Sequence, residues 1–241
     1  MRKITVFMLA VLAFLSISLA SDTEFLIIES PKSRFTKDWV IIVDTSDSMQ
    51  SVSAKALRAF RTATSSPTDE FKFCAYVFND FGMEKRSEWF EASIESFDAI
   101  EKWILNKKNA GVHSHGRVAI KKALQTQREE LTIIIISDGG FTSSSKGHGF
   151  HSMRSTIDEC QQYRANNGLG RAIIATIGIE NRHYSALCPA CCNHPGAEHN
   201  YALPDMWRTN KGYKLSNEKC QSFLREIGTK HNGGYFLVRA S

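Results

Sequence analysis

"VIIVDTSDSMQ", Val40 to Gln50, is the stretch on which the reading of this 241-residue chain turns. Val40 to Val43 are apolar without a break, as in a strand buried on both faces. Asp44, Ser46, Asp47 and Ser48 then crowd into five positions. A carboxylate left unpaired at the edge of a core costs several kcal/mol. Either a turn and a helix cap absorb these groups, or a cation does.

Outward from this stretch, apolar runs alternate with helical patterns. "DWVIIVD" (38–44) is a strand, and Met49, Val52, Ala56 and Phe60 follow at helical spacing. "FKFCAYVF" (71–78) is a second strand, and "EWFEAS" (88–93) is a short edge strand. Ile94, Phe97, Ile100 and Ile104 mark the next helix, and Ile120, Ala123, Leu124 and Gln127 another. "LTIIIISD" (131–138) is the most apolar strand. Met153, Ile157, Cys160 and Arg164 give a helix with a narrow apolar face, and "RAIIATIGI" (171–179) a strand. Cys220, Phe223, Leu224 and Ile227 form the last helical face, with Gly233-Gly234 as its stop and "YFLVRA" (235–240) as the closing strand.

Continuous Val/Ile runs separated by helices predict parallel strands covered on both faces. The expected fold class is α/β, a three-layer sandwich whose central sheet is mostly parallel, with helices on both faces. Ligands of such sheets bind beyond the carboxyl ends of the strands. Asp44 and Asp138 both stand at such ends.

Asp44, Ser46 and Ser48 make a D-x-S-x-S pattern. In a turn leading to a helix, alternate side chains can converge, and one carboxylate with two hydroxyls offers hard oxygens suited to Mg²⁺. Asp138 adds a second carboxylate, directly or through water. A turn that only caps a helix accounts for the serines but not for Asp138.

"VIIVDTSDSM" resembles the signature of the von Willebrand factor type A domain, whose metal-ion-dependent adhesion site opens with D-x-S-x-S after the first strand. "IIIISDGG" resembles the family's closing acidic element, at Asp138, and "FLREIGTKHNGGYFLV" its last helix and strand. The family takes a further hydroxyl from a loop before its third helix. With Ile120 at the family's Leu in "GVHSHGRVAI", that position falls on Ser114, where the family usually has Thr. The resemblance covers about residues 37–240 apart from one long insertion. It implies one Mg²⁺ or Mn²⁺ held by Asp44, Ser46, Ser48, Ser114 and Asp138. It also implies a protein partner whose acidic side chain completes the coordination. His113 and His115 flank Ser114 and either shift the preference toward Mn²⁺ or Zn²⁺ or stand as ordinary surface residues. A phosphotransferase of the haloacid dehalogenase type also places an Asp and Mg²⁺ after its first strand. It requires a second Asp where this chain has Ser46, and an acidic pair where Gly139 follows Asp138.

Between residues 180 and 215 the periodicity stops. This stretch holds three of the six cysteines, three of the eight histidines and three of the five prolines. A loop of such length inside a compact domain is usually functional or cross-linked. It leaves the carboxyl end of the 171–179 strand, on the expected side of Asp44 and Asp138. Cys188, Cys191, Cys192, His194 and His199 admit three readings. One is disulfides, with Cys160 or Cys220 as outside partners. Another is a Zn²⁺ site. The third is a redox-active C-P-A-C pair. Six cysteines allow 15 pairings, and spacing does not choose among them. Cys74 reads as a core residue.

The remaining features bound the setting. "MRK" followed by "ITVFMLAVLAFLSISLA" reads as a secretory signal peptide, residues 1–20, shorter than the roughly 20 apolar residues of a spanning helix. Residues 21–36 read as a linker with a short strand at "EFLII", and 37–241 as the domain. Removing Arg2 and Lys3 leaves 28 basic against 25 acidic residues, too even a balance to argue for nucleic acid. No Asn-x-Ser/Thr sequon occurs. The expectation is an exported binding module, secreted or periplasmic, with no catalytic residues and no membrane span after cleavage. The alternative is a zinc- or disulfide-centred function of 180–215 on the same scaffold.

Overall fold

The computed structural model of the chain describes residues 23–46, 49, 52–64, 70–79, 82–86, 88–107, 116–139, 150–181 and 210–240. Among these, eight strands and five helices form an α/β fold. The strands are β1 (Thr23–Glu29), β2 (Asp38–Asp44), β3 (Lys72–Asn79), β4 (Gly82–Lys85), β5 (Phe90–Glu91), β6 (Leu131–Ser137), β7 (Ile173–Asn181) and β8 (Asn232–Ala240). The helices are α1 (Val52–Thr64), α2 (Ile94–Leu105), α3 (Gly116–Leu124), α4 (Phe150–Asn166) and α5 (Asn210–Lys230).

One sheet runs in the order β1-β8-β7-β6-β2-β3-β4, with β5 also paired to β3. The central ladders β8-β7, β7-β6, β6-β2 and β2-β3 are parallel. The outer ladders β1-β8, β3-β4 and β3-β5 are antiparallel. The sheet is therefore mixed, where the sequence led us to expect it mostly parallel. The parallel centre follows from its composition. Every residue of β6 and every residue of β2 after Asp38 is buried, so both faces must be apolar.

Successive side chains of a strand point to opposite faces. Trp39, Ile41 and Val43 pack in one cluster with Phe60 of α1 and Phe97 and Ile100 of α2. Val40 and Ile42 pack in another with Ile120 of α3, Ile157 of α4 and Phe223 of α5. Fully burying each such side chain stabilises the fold by roughly 1.5–3 kcal/mol. On the first face, Trp39 stacks on Phe71 at 3.8 Å between centroids, and Phe73 on Phe97 at 4.5 Å.

Three local expectations change. Ile94 is 63% exposed. It opens α2 where a capping box between Ser93 and Ser96, not apolar contact, fixes the helix start. Gln127 lies beyond the end of α3. The last helix stops at Lys230, and Asn232 at φ 65° turns the chain, so Gly233 and Gly234 lie inside β8. At Gly234, φ is +77° and a Cβ would stand 2.4 Å from the Glu29 carbonyl oxygen. That glycine lets the first strand cross close to the last.

Candidate metal centre

Asp44 ends β2 and is 1% exposed. Its backbone is held on both sides. The Ser53 hydroxyl of α1 donates to the Asp44 carbonyl at 2.6 Å, and Thr45 N donates to the Phe78 carbonyl at 2.9 Å. The chain then turns into α1 through Met49 N to Ser46 O and Val52 N to Met49 O, each 2.9 Å.

The carboxylate oxygens of Asp44 have separate partners. Oδ1 accepts from Ser46 N at 2.9 Å, the i to i+2 bond by which an aspartate organises a turn. Oδ2 accepts from the Ser137 hydroxyl at 2.8 Å. Ser137 Oγ in turn accepts from Gly139 N at 2.9 Å. Ser137 closes β6, one step past the register pair Val43 and Ile136, so adjacent parallel strands bring these groups together.

Burial pushes the Asp44 carboxyl up to about 7, and the charge of Asp138 pushes the same way. Hydrogen bonds from Ser46 and Ser137 act against both. Among the described residues no cation pairs with Asp44, and the groups there that favour its charge are the hydrogen-bond donors Ser46 and Ser137.

Asp138 follows β6 directly, and the loop that carries it is clamped from α5. Gln221 Nε2 donates to the Asp138 carbonyl at 3.2 Å and to the Ile179 carbonyl at 3.0 Å. The Tyr235 hydroxyl donates to Gln221 Oε1 at 2.5 Å. Gly139 adopts φ +84°, and a Cβ there would lie 2.7 Å from the Cys220 carbonyl oxygen. Glycine is thus required after Asp138 for both conformation and close approach of α5.

Of the predicted site residues, Asp44, Ser46 and Asp138 come together on this rim. Ser48 and Ser114 lie outside the described residues, as do Cys188, Cys191, Cys192, His194 and His199. Cys74 and Cys160 carry free thiols, and burial raises the Cys74 thiol to about 12, where it is inert. Ser137 is the member that sequence reasoning missed. Its signal was present, as the only serine in "LTIIIIS", set against Asp138.

Two carboxylates with hydroxyls from Ser46 and Ser137 nearby form a hard-oxygen environment, the kind Mg²⁺ and Mn²⁺ prefer. Among the described residues, no three His, Cys, Asp or Glu side chains stand close enough to hold a metal by themselves. A site here depends on hydroxyls and water for its remaining ligands. A divalent ion fits two adjacent carboxylates, since its charge would favour the ionised form of Asp44 that burial and Asp138 oppose.

No family model and no curated protein matches the chain. Among solved structures, the chain is similar to proximal thread matrix protein 1 from the mussel byssus at 13% identity and a TM-score of 0.40. That match covers 63% of this chain and 39% of the mussel protein. It is also similar to the human COPII-coat protein Sec24c at 8% identity and a TM-score of 0.34, covering 70% of this chain and 31% of that one. The chain thus spans well under half the length of either.

Proposed function

We propose that this chain is an exported binding module of von Willebrand factor A type, a three-layer sandwich with a metal-dependent adhesion rim. Asp44, Ser46, Ser48, Ser114 and Asp138 hold one Mg²⁺ or Mn²⁺ at the carboxyl ends of β2 and β6. The ion supplies an electrophilic coordination position to a carboxylate of a protein partner. The chain's residues orient the ion and keep its shell poor in negative charge, so it remains attractive to that carboxylate. The module makes no covalent chemistry.

The observation that carries this reading is the pairing of Asp44 with Asp138. A fully buried carboxylate beside a second carboxylate, with no described cation to balance it, is costly unless a ligand compensates it. A helix cap needs only one such group.

Calorimetric titration of the folded chain with MgCl₂ and MnCl₂ tests the site. One divalent ion per chain is expected, and Asp44→Ala should abolish the heat. Equal heats for the two proteins would refute the assignment. Partner capture from an extracellular or envelope fraction, in Mg²⁺ and again in EDTA, tests the adhesion role. Capture that survives EDTA would leave the rim without that role.

A further inference from the structure

A second polar site lies in the groove where α3 packs beside α4. Its volume is about 690 Å³, within the range of small-ligand sites. One wall is α3, "GRVAIKKAL", which contains three cations and no acid. Arg117 and Lys121 are one helical turn apart and both line the groove, as does Lys122. The opposite wall is the first half of α4, which contributes His151, Ser155 and Thr156.

The charge balance of the α3 wall is one-sided. Elsewhere the helix cations commonly meet carboxylates: Arg61 with Asp98, Arg154 with Glu226 and Lys230 with Asp158. Arg117, Lys121 and Lys122 take part in none of the ion pairs among the described residues. Among the described residues lining the groove the one carboxylate is Glu159, which accepts the Ser155 hydroxyl at 2.6 Å. Arg117 and Lys121, four positions apart on one helix face, repel each other unless an anion lies between them. A concave wall of one sign also concentrates the field felt by a ligand.

We infer that the α3–α4 groove binds a compact ligand carrying two or more tetrahedral oxyanion groups, phosphate or sulfate. The donor set selects this chemistry. Lysine ammonium groups act as point charges, and hydroxyls rotate to suit the acceptor. Together they match an oxyanion with three free oxygens better than a planar carboxylate with two. The three cations come from one helix, so a ligand with several charged groups engages more of them than a single ion does. None of its described lining residues belongs to the proposed metal set. Arg117 follows Ser114 by three positions, so titration in EDTA separates the two sites.

The test is titration of the full chain, in EDTA, with sodium tripolyphosphate, sucrose octasulfate and citrate. Saturable one-site binding of the phosphate or the sulfate probe is expected, at least tenfold tighter than citrate. Whichever of the two binds more tightly identifies the oxyanion. The double variant Arg117→Gln/Lys121→Gln should lose at least tenfold in affinity, and Lys122→Gln a smaller factor. Lys55→Gln/Lys102→Gln removes the same charge from exposed positions on α1 and α2 and should leave affinity unchanged. All four positions are exposed, so melting curves should coincide. No saturable binding would overturn the proposal, as would equal losses in the two double variants or citrate binding as tightly as the other probes.

Discussion

Two buried ionisable groups stand at opposite ends of β6, and the chain treats them differently. At the amino end, Arg164 of α4 is fully buried. Its guanidinium donates to the carbonyls of Thr126 at 2.8 Å, Arg128 at 2.6 Å, Leu169 at 3.2 Å and Gly170 at 3.2 Å, and to Leu124 at 3.3 Å. At the carboxyl end, Asp44 is equally buried, accepts from Ser46 and Ser137, and faces Asp138. Arg164 is answered by dipoles that all favour its charge, so it fastens the α3–β6 connection to α4 and has nothing left to bind. Asp44 is answered by dipoles that favour its charge and by a neighbour that opposes it. The first arrangement is structural, and the second is the one that we propose a cation completes.

The largest effect expected from this contrast is at Arg164. Arg164→Met keeps much of the volume but strands several inward-facing carbonyls, so it should cost at least about 3 kcal/mol in urea unfolding. Arg164→Lys should recover less than half, because one ammonium cannot span that many acceptors. A loss under 1 kcal/mol for the methionine variant would mean that water replaces the guanidinium freely. Near the same end, His231 sits 7% exposed, its Nδ1 3.4 Å from the Gln161 amide and its Nε2 without a hydrogen-bond partner among the described residues. Burial lowers its pKa to about 4, with Lys230 and Arg171 adding to the shift and Asp158 opposing it. A base with a lowered folded pKa contributes stability that is present above about 6.5 and is lost as pH falls toward 4. That loss should be at most about 3 kcal/mol. His231→Gln should flatten this window in unfolding curves taken between pH 7 and pH 4.

How much of this was legible in advance depends on whether the partner of a residue has a sequence signature. The parallel centre was legible because burial on both faces forces apolar residues at every position, as in "VIIV" and "IIII". β4, with the sequence "GMEK", was not, because a four-residue edge strand needs no apolar face. Asp44, Ser46 and Asp138 were legible because charged groups at strand ends contradict the core around them. Ser137 was harder to see, since a small hydroxyl in an apolar strand costs little and stands out only beside Asp138. Arg164 read as one position of a narrow apolar helix face. Its partners are backbone carbonyls, which every residue possesses and no pattern marks.

At the carboxyl end, the effects are smaller and depend on the ion. Mg²⁺ at a hundredfold excess over its dissociation constant should stabilise the wild-type chain by about 2.7 kcal/mol. Melting curves with and without the ion, on wild type and Asp44→Ala, read this directly. An Asp44→Ala protein that still gains the full increment would place the ion elsewhere.

The smallest predicted effect is the most specific. Asp138→Asn keeps the size of the side chain and removes the like charge that helps push Asp44 up to about 7. A carboxyl with a raised folded pKa favours the fold while protonated, and that contribution is lost as pH rises through the folded pKa. At pH 8 without divalent ions, Asp44 is ionised and opposed by Asp138 in the wild type, so Asp138→Asn should be more stable by about 1 kcal/mol. At pH 5, Asp44 is protonated in both proteins, the repulsion is absent and the gap should close. Added Mg²⁺ should reverse the order at pH 8, because the wild type alone then has both carboxylates for the ion. Paired urea titrations at the two pH values and with the ion measure all three relations. A variant less stable than wild type at pH 8 without metal would show that Asp138 supports the fold through contacts of its own. The contrast with Arg164 would then fail, because both ends of β6 would be structural.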